Sequence, residues 1–281
     1  MQYTPRISII TSVYNGRKYL EECIKSVQAQ TYPQVEHIVI DGGSTDGTTD
    51  VLRQYDDQLH YWVSEKDNGI YHAWNKGLAQ ASGDWIAFLG SDDTLANARA
   101  LEDSIGHLHT ALKDDIRYVY GKVNLISASS NIITVWGDPW EKAKKDILEY
   151  MTVTHCCAFH HRSLFEDHGG FNERFRITGD YEFLLREFAK GRDALFTDQL
   201  LASMHAGGIS ANIRSKLVIA RENILARQLN GLPPRLHQRI QVLKAHTAGA
   251  LTGILGRHTV NKLSDLYRTL TGKDKLWSKM D

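Results

Sequence analysis

The chain has 281 residues, 42% of them hydrophobic, with 33 Lys/Arg against 33 Asp/Glu. That is ample for the packed core of one large or two small domains, and the neutral sum announces neither nucleic acid nor any other strongly charged partner. No apolar run reaches the roughly 18 residues that would cross a bilayer, MQYTPRISII has no secretory n-region or cleavage site, and Cys23 with the adjacent pair Cys156 and Cys157 makes no disulfide framework, so a reducing cytoplasm is expected.

In chain order, RISIITSV is a β-rich run that Tyr14-Asn15-Gly16 ends, ahead of a helix from Arg17 to about Gln30 that Pro33 stops. VEHIVID is the second strand, and DGGSTDGTTD is a turn that caps a helix through about Tyr55. LHYWVS is a third strand, Gly69 to Ala81 a helix, WIAFL a buried strand and Ala96 to Leu112 a further helix. This alternation predicts an α/β fold on a mostly parallel sheet flanked by helices. Beyond Tyr118 the pattern loosens into short strands (YVYGKVNLI, NIITVW), a Pro139-Trp140 turn and helices over Arg162 to His168 and Asp180 to Lys190. From Asn212 the chain reads as helical, broken at Gly231-Leu232-Pro233-Pro234, with thirteen Lys/Arg against four Asp/Glu, so a basic extension follows an acidic body.

In an open parallel sheet the ligand sits beyond the carboxyl ends of the strands, and four such ends carry polar groups. They are Thr11, Ser12, Tyr14 and Asn15; Asp41 with Gly42 and Gly43; Glu65 and Asp67; and Ser91, Asp92 and Asp93. DGGSTDGT also reads as an ordinary capped loop, and its glycines match neither a dinucleotide fingerprint nor a phosphate loop. Asp92 and Asp93 follow a buried run, and two such charges need a partner. Oxygen donors of this kind suit Mg²⁺ or Mn²⁺, while a solvated loop end is the plainer reading.

ISIITSVYNG, VIDGGSTDGT and SEKDNGIYHAWNKGLAQASGDWIAFLGSDD, occurring in that order, resemble the family 2 glycosyltransferases with the GT-A (Rossmann-like) fold, over roughly residues 6 to 210. The resemblance implies a catalytic domain over 1–211, with a nucleotide-binding half (1–115) and an acceptor half (116–211), and a helical C-terminal extension over 212–281. It further implies that Ser12, Tyr14 and Asp41 hold base and ribose, with Asp41 accepting from the base edge, and that Glu65, Asp67, Asn75 and Lys76 line the donor side. The family's Asp-x-Asp motif falls on Gly90-Ser91-Asp92, with Gly90 departing from it at the first position. Ser91 is placed with the nucleotide sugar, and Asp92, Asp93 and His205 with the Mn²⁺ or Mg²⁺. Trp74 stands where other branches carry an arginine. GGFNERFRITGDYEFLLR resembles the segment that introduces the catalytic base, which puts Asp180 in that role with Glu182 as its local competitor, and His155 faces the acceptor or the leaving phosphate.

The implied reaction is an inverting, metal-dependent transfer from a nucleotide-diphosphate sugar, UDP-linked by resemblance with GDP and dTDP as alternatives, onto a glycan or lipid-linked acceptor. A sugar nucleotidyltransferase and an inactive nucleotide-sugar binding or assembly protein are the competing readings. In the extension, Leu236, Ile240, Leu243, Leu251, Ile254 and Leu255 approximate one helical face with Arg235, Arg239, Lys244 and Arg257 among the polar positions, a pattern that fits an anionic membrane at the cell's inner face, a helix packed on the catalytic domain or a dimer contact.

Overall fold

A computed structural model describes residues 4–156, 158–208 and 215–236, with short stretches and single positions between 238 and 269. The first half is a parallel layer. Strands β1 (Ile7–Val13), β2 (Val35–Asp41), β3 (Tyr61–Ser64) and β4 (Trp85–Phe88) are connected by α1 (Arg17–Gln28), α2 (Thr48–Gln54) and α3 (Ile70–Gln80) and lie side by side as β3-β2-β1-β4. Both faces of β1 are buried, which is why it reads as a continuous apolar run. Ile10 joins Ile38, Ile40 and Phe88 on one face of the sheet, while Ile7 and Ile9 join Trp85 and Ala87 on the other. Helix α3 comes close because of Gly77, where a methyl group would fall 2.5 Å from Ile10 Cγ2.

The second half comprises β5 (Thr94–Leu95), α4 (Ala100–Lys113), β6 (Tyr118–Ile126), β7 (Ile132–Trp136), the short α5 (Trp140–Ala143), β8 (Phe159–His161), α6 (Arg162–His168), α7 (Gly179–Phe188), β9 (Leu195–His205) and α8 (Ser215–Leu229). Here the sheet is mixed. β8 inserts antiparallel between β4 and β6, β9 runs parallel to β6, β5 lies antiparallel on β9, and β7 folds back on β6 as a hairpin. The expected parallel order therefore describes the first half of the sheet. Beyond it β6 and β7 pair antiparallel through a short hairpin, and β8 and β5 enter antiparallel beside strands distant in sequence, directions that alternation of strand and helix does not report.

At the base of the sheet the buried Glu36 carboxylate accepts from Ser8 Oγ at 2.5 Å, Ser82 Oγ at 2.7 Å and Gly83 N at 3.1 Å, tying β1, β2 and the entry to β4 together. Helix α8 packs against α7. Just beyond it Arg235 pairs with Glu149, and the buried Gln238 donates to the Glu149 carbonyl at 2.9 Å. The start of the basic extension is thus docked on the body. Lys244, Leu251, Ile254, Leu255 and Arg257 lie outside the described residues. No helix among the described residues is long and apolar enough to cross a membrane.

Candidate functional site

The loops after β1 and β2 are laced together. Asn15 adopts a left-handed backbone (φ 51°), its N–H donates to Ser44 Oγ at 2.7 Å, and its Oδ1 accepts from Thr45 N at 2.9 Å. Asn tolerates this region because its short amide can bond locally. Next to it, Gly16 N donates to Thr48 Oγ1 and Arg17 N to Asp46 Oδ2, each at 3.1 Å. Asp41, the last residue of β2, is fully buried. Its Oδ2 accepts from Gly43 N at 3.2 Å, Ser44 N at 3.0 Å and Ser64 Oγ at 2.5 Å, and its Oδ1 accepts from Ser44 Oγ. A carboxylate has about four acceptor sites, so Asp41 already has its complement from the protein.

Tyr14 is 67% exposed at the rim, while Ser12 sits partly buried on β1 one residue inside it. Gly42 explains how Tyr14 and Asp67 come to flank one spot: a methyl group there would fall 2.5 Å from Asp67 Oδ2 and 3.4 Å from Tyr14 Cδ2. Asp67 also accepts from Gly69 N at 2.8 Å, fixing the entry to α3. Glu65 and Lys76 form an ion pair at 2.8 Å, whose hydrogen bond holds the Glu65 carboxyl below its ordinary range. Asn75 faces elsewhere: its amide nitrogen donates to Phe171 O and Glu173 Oε1, both at 2.9 Å, and its oxygen accepts from Phe171 N at 2.8 Å. It clips α3 to the loop that leads to α7.

Strand β4 ends before the acidic pair, and Gly90 to Asp93 form a turn closed by Asp93 N donating to Gly90 O at 3.0 Å. The two carboxylates part there. Asp93 is 6% exposed and accepts from His205 N at 3.1 Å and Cys156 Sγ at 3.4 Å. Burial, and then the charge of Asp92, push its carboxyl up to about 7. Asp92 is more open, and its carboxylate takes no hydrogen bond from the described residues. The His205 ring meets the Asp92 backbone carbonyl through Nδ1. A carbonyl only accepts, so Nδ1 carries the proton of this hydrogen bond. Ser91 is partly buried beside Gly16, where a methyl group would lie 3.2 Å from its Oγ. Gly90 has a steric reason too, since a methyl group at that position would fall 2.6 Å from Asp93 Oδ2 and 3.1 Å from Asp92 Oδ1.

No group of three His, Cys, Asp or Glu among the described residues forms a protein-only metal cage. Mg²⁺ and Mn²⁺ in nucleotide sites ordinarily take one or two carboxylates and complete their shell with phosphate oxygens and water, and a single open carboxylate at Asp92 fits that donor set.

Asp180 lies in the first turn of α7, partly buried, with Tyr71 Oη 3.2 Å from its Oδ1. Gly179 permits this approach, because a methyl group there would fall 2.7 Å from the Tyr71 ring. Burial pushes the Asp180 carboxyl up to about 6. Glu182, two residues on and so on another side of the helix, is buried and bound to Arg186 at 2.5 Å and 3.0 Å. Asp180 and Glu182 are not brought together. Tyr71 opens α3, which starts where β3 delivers Asp67, so Asp180 stands at the same end of the sheet as the nucleotide-side loops.

His155 bridges the two halves. Its ring stacks on Trp74 (5.1 Å between centroids) and Phe88 (5.6 Å), both ring nitrogens are buried without a hydrogen-bond partner among the described residues, and burial pushes its pKa down to about 3, so it is neutral. Trp74 in turn packs edge-on against Tyr71. A continuous run of contacts therefore links Asp180, Tyr71, Trp74 and His155 to Cys156 and Asp93. Two participants escaped sequence reasoning, Tyr71 and Glu222. The second is a buried α8 carboxylate that accepts from the backbone of 176–178. Nothing local in RENILARQLN marks Glu222, since its partners are distant in sequence.

A half-parallel, half-mixed sheet with polar loops gathered at one end is the GT-A arrangement. The chain superposes on the mannosyltransferase PcManGT from Pyrobaculum calidifontis, in complex with GDP-Man and Mn2+, with a TM-score of 0.63 at 19% identity, covering 96% of this chain and 81% of that one. It superposes on S. aureus TarS in complex with UDP-GlcNAc with a TM-score of 0.58 at 18% identity, covering 92% and 83%. Residues 8–169 match the profile of Glycosyl transferase family 2. A PGL/p-HBAD biosynthesis glycosyltransferase of Mycobacterium bovis is 32% identical over 224 residues, 77% of this chain and 84% of that protein. The chain belongs to glycosyltransferase family 2 and is a glycosyltransferase.

Proposed function

We propose that the chain transfers a sugar, with inversion, from a UDP-sugar to a hydroxyl of a glycan or lipid-linked acceptor, using Mn²⁺ or Mg²⁺. The observation that carries this reading is Asp180, a carboxyl raised to about 6 at a helix start on the nucleotide end of the sheet. A general base works best when its pKa lies near the working pH, and Asp180 would take the acceptor hydroxyl proton as that oxygen attacks the anomeric carbon. Asp180 then holds the proton, inversion follows from attack opposite the departing diphosphate, and no covalent enzyme intermediate is needed. Ser12, Tyr14 and Asp67 would surround the base and ribose, with Asp41 shaping the loop that receives them. Glu65 and Lys76 would line the donor, and Ser91 the sugar-phosphate side. Asp92, with His205 beside it, would hold the divalent cation, which when bound offsets charge on the leaving diphosphate. His155, neutral and buried, would support the acceptor side as a packing surface through Trp74.

The complexes of TarS with UDP-GlcNAc and of the Pyrobaculum mannosyltransferase with GDP-Man and Mn2+ support a nucleotide-sugar donor and a cation. The exposed Leu236, Ile240 and Leu243 beside Arg239 support contact with an anionic membrane, where a lipid-linked acceptor would lie. Nucleotide release from UDP-GlcNAc, UDP-glucose and GDP-mannose, each with Mn²⁺ and a lipid-linked or free glycan acceptor, tests the reading. Turnover with one donor that falls about 10²- to 10⁴-fold in Asp180→Asn supports it. Undiminished turnover in that variant removes Asp180 from the base role.

A further inference from the structure

We propose that Glu222, on α8, is a positioning residue for Asp180: its carboxylate holds the backbone of residues 176–178 and so fixes where α7 begins and where its first-turn carboxyl stands. The proposal rests on the reading of Asp180 as the base.

Glu222 is 8% exposed. Its Oε1 accepts from Arg176 N at 2.7 Å, and its Oε2 accepts from Ile177 N at 3.0 Å, Thr178 N at 2.9 Å and Thr178 Oγ1 at 3.2 Å. These donors all come from the three residues immediately before Gly179 and Asp180. A helix start leaves backbone N–H groups without intrahelical partners, and a nearby Ser, Thr or Asp side chain ordinarily meets them. Thr178 makes no side-chain cap, and the Glu222 carboxylate gathers the N–H groups of the cap residue and the two residues before it, ahead of the helix's own first turn.

The same segment is held from the opposite side. Tyr71 Oη donates to the Ile177 carbonyl at 2.6 Å, so the N–H of Ile177 is fixed by α8 and its C=O by α3. Because Tyr71 Oη also lies 3.2 Å from Asp180 Oδ1, the carboxyl inherits its place from both contacts. An anionic clamp also acts on Asp180 through charge. The titratable groups facing Asp180 are Tyr71 from α3, Tyr118 from β6 and Glu222 from α8. Burial is the main reason the Asp180 carboxyl is raised, and the negative charge of Glu222 adds in the same direction. A residue that merely stabilised the fold would leave the ionisation of Asp180 where it is.

The test uses the full chain carrying ¹³C-carboxyl aspartate, with the Asp180 signal identified by its loss in Asp180→Asn. In wild type that signal should titrate near 6. In Glu222→Gln, which keeps shape and one oxygen but not charge, the midpoint should move down. In Glu222→Ala the amides of Ile177 and Thr178 should exchange with solvent roughly tenfold faster or more, the loss expected for hydrogen bonds to a charged group. With the donor that wild type turns over, kcat should fall in both variants while the donor KM stays constant. If Glu222→Ala fails to fold, Glu222→Gln carries the titration and the kinetics. An Asp180 midpoint and exchange pattern unmoved in these variants overturn the proposal, even with Asp180→Asn inactive. An active Asp180→Asn instead removes the base reading, and the positioning role with it.

Discussion

Burial raises the Asp180 carboxyl to about 6, and this has opposite consequences for rate and for stability. As the proposed base, Asp180 must be ionised to act, so kcat/KM should rise with pH up to about 6 and level off above it. A carboxyl whose folded value lies above its ordinary 3.8 favours the fold fully below about 4, and that contribution is lost as pH rises through about 6. Asp180→Asn does not titrate. Across that window its melting temperature should therefore climb relative to wild type while its turnover is lost, and parallel melting curves from pH 4 to 7 would contradict the assignment. Gly90 carries a second prediction at this scale. Resemblance alone makes the glycine look like a missing carboxylate, but the position has no room for a side chain beside Asp93. Gly90→Ala and Gly90→Asp should each destabilise by about 1–3 kcal/mol, the usual cost of overpacking, and raise the donor KM as Asp93 leaves His205 and Cys156. Tighter Mn²⁺ binding in Gly90→Asp would show that the turn has space after all.

Among elements, the ones read most directly from sequence are those whose neighbours are near in the chain. VEHIVID is β2 residue for residue, Arg162 to His168 is α6, and the Gly69 to Ala81 helix overlaps α3 within a residue at each end, because β-branched runs and glycine breaks are local signals. Strand β8 is three residues long and β9 carries Asp198 and Gln199 in mid-strand, so neither has the run or alternation that announces a strand. The polar loops after β1 to β4 were legible for the same local reason. The surroundings of Asp180 were not, since Tyr71 and Glu222 reach it from distant positions. Asn75 shows how a motif residue can serve the fold: its amide meets both the N–H and the C=O of the buried Phe171. Asn75→Ala leaves two buried backbone groups unpaired and should cost about 2–4 kcal/mol, read as a lower urea midpoint at unchanged m. The extension makes its own prediction. Replacing Leu236, Ile240 and Leu243 together with Ser should reduce cosedimentation with phosphatidylglycerol vesicles and leave binding to neutral vesicles weak in both proteins. Equal sedimentation of the two proteins would favour the reading in which the extension simply packs on the body, as Arg235 and Gln238 do on Glu149.

For the whole molecule, donor and cation both act on one folding equilibrium, so thermal stability reports on the site without knowledge of the acceptor. At the proposed metal position the described residues offer one open carboxylate, Asp92, with the ring of His205 beside it, and the second aspartate is turned into the interior. A cation with so few protein ligands binds weakly alone and gains affinity when diphosphate oxygens complete its shell. Mn²⁺ alone should shift the melting temperature little, UDP alone modestly, and the two together by more than their sum. A ligand at a hundred times its dissociation constant adds about 2.7 kcal/mol to the folded state, which for a domain of this size is several degrees. UDP, GDP and dTDP compared in this way also choose the donor, since the loops at Ser12, Tyr14 and Asp67 are the ones proposed to meet the base and the diphosphate is common to all three. Asp92→Asn should abolish the cooperative part of the shift and keep the nucleotide part. If UDP and Mn²⁺ instead stabilise independently, the cation does not share the diphosphate, and Asp92 loses the role proposed for it.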